Sequence, residues 1–109
     1  MLTALTTQEN KMITEQEAEK LVWIHISGYE LPKGDEWIIL KDETIRKDWG
    51  WVFFYTSKKW RETGDLSFAV AGNAPLLIEK NTGNVLVTGT ARETEYYIKN
   101  YEATGNLNG

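Results

Sequence analysis

The residues able to do chemistry in this chain are few, and their spacing does not assemble them. His25 is the lone histidine and there is no cysteine. An imidazole can act as a general base or a metal ligand, but here it has no thiol to activate and no second histidine to share an ion. Two acidic pairs, Asp42 with Glu43 and Glu62 with Asp65, carry the residue types used for hydrolysis or cation binding. Among 16 acidic residues in 109, such neighbours arise without a function, and Asp65 has a plainer task as a helix cap. Gly64, Gly72, Gly83 and Gly89 fit neither the dinucleotide nor the P-loop glycine spacing. Gly72-Asn73-Ala74-Pro75 could touch a ligand, but reads first as a stop before a strand. No catalytic residue, cofactor site or metal site is assigned, and the chain reads as non-enzymatic.

The aromatic residues are the sharper signal. Five tryptophans are present, three of them within Trp49, Trp51 and Trp60. Aromatic rings dominate the cores of small domains, and the same rings with arginine anchor protein interfaces. Trp51 belongs to the core reading, because it lies in an apolar strand. Trp49 in a turn, and Trp60 between Lys59 and Arg61, suit either role.

The totals set limits. A chain of 109 residues is one domain, able to bury roughly 65% of its unfolded surface. The formal charge is -4, where a nucleic-acid binder would show a basic excess. The cluster Lys58-Lys59-Arg61 is flanked by Glu62 and Asp65. Mild acidity suits docking to a basic protein. No run is long enough to span a membrane, and the first residues lack a signal peptide's pattern, so a cytoplasmic location is expected. Residues 1–12 read as a flexible tail, 13–104 as one domain and 105–109 as a C-terminal tail.

The elements that must position these residues follow from pattern. Thr14 to Glu17 is a capping box, opening a helix over 15–27 with Ala18, Leu21 and Val22 at helical spacing. Residues 36–46 read as one strand and 51–56 as another, apolar on both faces. Ser57 caps a short helix stopped by Gly64; Asp65 caps a second over 66–71, stopped by Gly72. Residues 74–80 and 84–89 form a hairpin about Asn81-Thr82-Gly83, with Leu76, Ile78, Val85 and Val87 on one face. A second capping box, Thr90 to Glu93, opens a helix over 93–103 ahead of Gly105. The expected fold is α+β: a four-stranded antiparallel sheet with the N-terminal and C-terminal helices on one face, and short helices between strands two and three.

Gly50-Trp51-Val52-Phe53-Phe54-Tyr55, Glu62-Thr63-Gly64-Asp65, Ala71-Gly72-Asn73-Ala74-Pro75, Glu79-Lys80-Asn81-Thr82-Gly83, Gly89-Thr90-Ala91 and the helix about Tyr96, Tyr97 and Tyr101 together resemble the YrhB-like family. It is also described as immunity protein 35 of bacterial polymorphic toxin systems. The resemblance covers about 14–102. It implies a small α+β protein without a catalytic role that binds and neutralises a cognate toxin, with a heat-shock or chaperone-like role in one branch. It supplies no active site to carry over.

The sequence therefore leads to a toxin-binding immunity protein, with a chaperone-like protein that holds unfolded clients as the alternative. The expected contacts are Trp49, Trp60, Arg61, Glu62 and Asp65, on a toxin with a basic contact surface. Neither nucleic acid nor membrane is an expected partner; a homo-oligomer is open. The surplus of aromatic surface over what two helices on one face can hide is the physical ground for a partner.

Overall fold

The computed structural model describes residues 12–69 and 73–109. Helix α1 spans Glu15–Ile26 and begins as its sequence dictates. The Thr14 hydroxyl accepts from the Glu17 amide at 3.1 Å, and Glu17 accepts from the Thr14 amide at 2.9 Å. Ala18, Val22 and Ile26, each four residues apart, form its buried stripe.

The expected strand over 36–46 is broken, and so is the one over 51–56. Strand β1 is Trp37–Ile39 and β2 is Ile45–Lys47, separated by a 3-10 turn at Lys41–Glu43. Strand β3 is Gly50–Phe53 and β4 is Tyr55–Ser57. Ile39 pairs with Tyr55 and Ile45 with Val52, so five residues, 40–44, stand against two, 53 and 54. The polar run Lys41-Asp42-Glu43 provides the looped-out turn, and Leu40 donates to the Phe54 carbonyl at 2.8 Å across the gap. An odd number of inserted residues swaps the faces beyond it. Ile39 accordingly packs on one side of the sheet and Ile45 on the other, although they share a parity in sequence.

The single four-stranded sheet expected from sequence is thus corrected to two antiparallel sheets. One is two-stranded, β1-β4; the other is four-stranded, β2-β3-β5-β6, with β5 at Leu76–Glu79 and β6 at Val85–Val87. The α+β class stands. Gly50 is needed where β3 meets β5, since a Cβ there would lie 1.9 Å from the Ile78 carbonyl oxygen.

The placement of the helices is a second correction. Helix α1 covers one face of the sheet, packing Ala18, Val22 and Ile26 on Trp51, Phe53, Tyr55, Leu76 and Ile78. Helix α3, Thr94–Thr104, covers the other face, with Tyr97 and Ile98 on Val52 and Leu77. Alternation along a strand sends successive side chains to opposite faces, so the covered stretches must be apolar at successive positions, as they are through Trp51–Phe53 of β3 and Leu76–Ile78 of β5, with Glu79 ending the run. Leu76, Leu77 and Ile78 are fully buried, each stabilising the fold by about 1.5–3 kcal/mol. Arg46 on β2 bridges to Glu15 on α1 through both carboxylate oxygens, at 2.7 and 2.9 Å.

The 81–83 hairpin forms as expected, with Gly83 at φ 76. Of its expected face, Leu76 and Ile78 are buried and Val85 packs beside them, while Val87 is exposed. Helix α2, Lys58–Thr63, starts at Ser57 and stops at Gly64 as the sequence indicates. The Asp65-capped element is a 3-10 turn of three residues, Leu66–Phe68; its expected stop at Gly72 lies outside the described residues. The capping box expected at Thr90 to Glu93 does not form: Glu93 is the N-cap of α3 and makes no side-chain cap bond. Near the C-terminus Leu107 is buried against Tyr97 and Ile98, and Asn100 Nδ2 holds its carbonyl at 3.0 Å. No described helix is long and apolar enough to cross a membrane.

Candidate protein-binding surface

Four of the five residues singled out from sequence come together; Trp49 does not join them. Trp60, Arg61 and Glu62 lie on α2 and Asp65 just beyond it. Trp49 sits in the β2–β3 turn, at the other end of the β3–β4 ribbon, roughly 25 Å away at about 3.3 Å per residue. Its ring packs on Tyr101 with centroids 4.7 Å apart. Its indole N–H donates to Glu102 Oε2 at 2.9 Å, and Lys47 Nζ reaches the same oxygen at 3.6 Å. The Trp49 hydrogen bond is the largest influence holding the Glu102 carboxyl below its usual range.

On α2 the roles differ. Trp60 is half-buried, with its amide donating to the Ser57 hydroxyl at 3.1 Å. Arg61 reaches across to Glu43 at 3.6 Å, tying α2 to the 41–43 turn. Glu62 is exposed. Asp65 accepts from both the amide and the hydroxyl of Ser67 at 2.9 Å, and these bonds lower its pKa. Beyond it Leu66 stands 80% exposed.

Beside α2 lies an open cleft of about 530 Å³, lined by Trp23, Ser27, Tyr29, Leu31, Asp35, Glu36 and Trp37. A network of rings builds its floor. The Trp37 indole donates to the Tyr29 carbonyl at 3.2 Å and packs edge-on against Tyr55 at 5.3 Å. His25 Nε2 and the Tyr29 hydroxyl are 2.8 Å apart, with their rings edge to face. His25 is thus part of the ring network through Tyr29. The Tyr55 hydroxyl is buried without a hydrogen-bond partner among the described residues. Burial first, and then the neighbouring Tyr29 phenol, pushes it up to about 12. That phenol is close enough to act on its charge but is paired with His25 and does not meet hydrogen-bond geometry with Tyr55.

Asp35 is the joint between the cleft and α2. Its carboxylate accepts from the Ser57 hydroxyl, from the Glu36 amide at 2.8 Å and from the Lys59 amide at 3.1 Å. Burial opposes its charge, but those hydrogen bonds prevail and hold its carboxyl below the usual range. The cleft and α2 are thereby parts of one continuous surface at the β1–β4 end of the fold.

The cleft was missed in the sequence, although a signal existed. The stripe Ala18, Val22, Ile26 fixes the buried face of α1. At about 100° per residue, Ile24 lies some 200° from Val22 and cannot share that face. Ile24 is 70% exposed, and Trp23 and Tyr29 are 39% exposed. Among the described residues no three His, Cys, Asp or Glu side chains are grouped to hold a metal.

Partly exposed rings, Trp23 and Tyr29 among them, thus stand at the β1–β4 end of this small α+β domain. The family model described as immunity protein 35 matches residues 29–103, and the chain belongs to that family. It is also 42% identical over 53 residues to the uncharacterized protein YrhB of Escherichia coli K12, covering 49% of this chain and 56% of that protein. The chain thus spans little more than half the length of this relative. No solved structure matches the chain.

Proposed function

We propose that this chain is a non-catalytic immunity protein that binds and neutralises a cognate toxin domain in the cytoplasm. The observation carrying the reading is the family match across β1 to α3. The partly exposed rings and aliphatic side chains at the β1–β4 end support it, because exposed apolar residues grouped on one surface are the mark of an interaction site. The contact residues are Trp60, Arg61, Glu62 and Asp65 on and after α2. Trp49, at the other end of the ribbon and committed to Glu102, serves the fold instead. The toxin presents basic groups to this surface, and the net charge of -4 favours their approach.

The experiment is co-expression with the product of the neighbouring gene, followed by co-purification and growth rescue. A stable complex and restored growth are the expected result. No complex and no rescue, with suppression of aggregation for unrelated unfolded proteins, would replace the reading with the chaperone-like one.

A further inference from the structure

The cleft beside α2 has a composition that selects an occupant. Three of its seven lining residues are Trp23, Tyr29 and Trp37, and its charged lining residues are the carboxylates Asp35 and Glu36. Rings supply faces for a cation, and carboxylates supply its counter-charge. A planar guanidinium uses both at once, stacking on a ring while its edge pairs with a carboxylate. The cleft is open and Glu36 is largely exposed, unlike the enclosed pockets that bury most of a small ligand.

The two carboxylates are not equivalent. Asp35 is spent on Ser57, Glu36 and Lys59, and fixes the turn. Glu36 meets Lys58 at 3.5 Å, with both side chains exposed. Such a pair is worth little, so Lys58 can be displaced by a cation that also gains ring contact. Lys59, on the α2 side of Asp35, balances part of that charge, which leaves Glu36 as the recognising group.

Resting on the immunity reading, we propose that this cleft seats one arginine side chain of the toxin, its guanidinium against Trp23 and Tyr29 and its edge on the Glu36 carboxylate. A single cleft is smaller than a stable interface, which needs about 800 Å² per partner. The adjoining α2 surface, joined to it through Asp35, supplies the remainder. Trp23 lies on α1, ahead of the stretch matched by the family model, so this wall of the cleft is set by a part of the chain outside that match.

The test uses Trp23→Ala and Glu36→Gln in the full chain. Where the wild-type complex forms, its Kd is measured by calorimetry at two salt concentrations. Each variant is expected to weaken binding at least tenfold with unchanged thermal unfolding, and Glu36→Gln to flatten the salt dependence. Wild-type affinity in both variants would overturn the cleft while leaving the immunity reading in place. Where no wild-type complex forms, that reading fails separately. The cleft is then tested by titrating N-acetyl-arginine amide against tryptophan fluorescence, with N-acetyl-glutamine amide as control. A saturable millimolar response specific to the arginine compound and lost in Trp23→Ala supports the proposal; its absence in the wild type overturns it.

Discussion

Trp49 and Glu102 are joined by a 2.9 Å hydrogen bond that spans from the β2–β3 turn to the last turns of α3. The bond fixes one end of α3 to the sheet, and the Trp49 ring on Tyr101 covers it. Trp49→Ala is expected to lower unfolding stability by about 2 kcal/mol, between a partial and a full large-to-small core loss. Toxin affinity should stay within twofold of wild type. Urea unfolding beside a binding titration checks both, and intact stability with lost affinity would return Trp49 to the interface.

Trp60→Ala should do the reverse. The ring is half-buried on a six-residue helix at the edge of the fold, and the helix start depends on the Ser57 hydroxyl and the Trp60 amide, which the substitution keeps. The melting temperature should move by only a few degrees while toxin binding falls at least tenfold, the behaviour of an interface anchor. A large loss of stability at unaltered affinity would place the ring in the core.

Gly50→Ala tests the close approach of β3 and β5. The added methyl would sit 1.9 Å from the Ile78 carbonyl oxygen, so the two central strands must part or twist. Strand separation at the centre of the sheet disturbs both buried layers, and a loss of more than about 3 kcal/mol is expected, in line with severe overpacking. Soluble yield and circular dichroism are the readouts; a stable variant with native spectra would show that the strands can shift.

Glu79 and Tyr101 set opposite limits on pH stability. The Thr82 hydroxyl first, and then the Tyr101 hydroxyl and Asn84, hold the Glu79 carboxyl below its ordinary 4.5 against the effect of burial. Its folded pKa is depressed, so its contribution is complete above the unfolded value and is lost as pH falls through the folded one. Burial, and then the bond to Glu79, raise Tyr101 to about 12. Its folded pKa is raised, so its contribution is complete below the ordinary value of 10.0 and is lost as pH rises toward 12. Glu79→Gln should flatten the acid limb, and Tyr101→Phe the alkaline limb, of stability measured by urea midpoint against pH. Unchanged limbs in both variants would show that the 2.8 Å bond between them carries no linkage.

Much of the local structure was legible because its causes are local. The Thr14 capping box, the Ser57 and Asp65 caps and the turn at Gly83 each depend on residues within a few positions of one another. Long-range choices were less legible. The split of the 36–46 strand arises from its register against 52–55, which composition alone does not contain. The helices take opposite faces because Trp51–Phe53 of β3 and Leu76–Ile78 of β5 are apolar on both sides. The sequence displayed this pattern, but the one-faced arrangement ignored its full consequence. With both faces covered, Trp51 is sealed inside, and the exposed large aromatics among the described residues come down to Trp23 and Tyr29 at the cleft and Tyr96 on α3. Of the expected contact set, the α2 cluster was visible through its charges flanking a tryptophan. The cleft was not, since Trp23, Tyr29 and Trp37 meet only after α1, its following loop and β1 have been brought together.

The looped-out turn at 41–43 has a consequence for how such a protein can change over generations. Beyond it, the β1–β4 pair, α2 and the 64–69 segment are joined to the doubly covered layers mainly through Ile39, Tyr55 and the end of α1. Residues such as Ile24, Glu36, Glu62 and Leu66 are exposed there and can be exchanged without opening the interior. A lineage pressed to keep pace with a drifting adversary could therefore rewrite this tip while inheriting the scaffold beneath it unaltered.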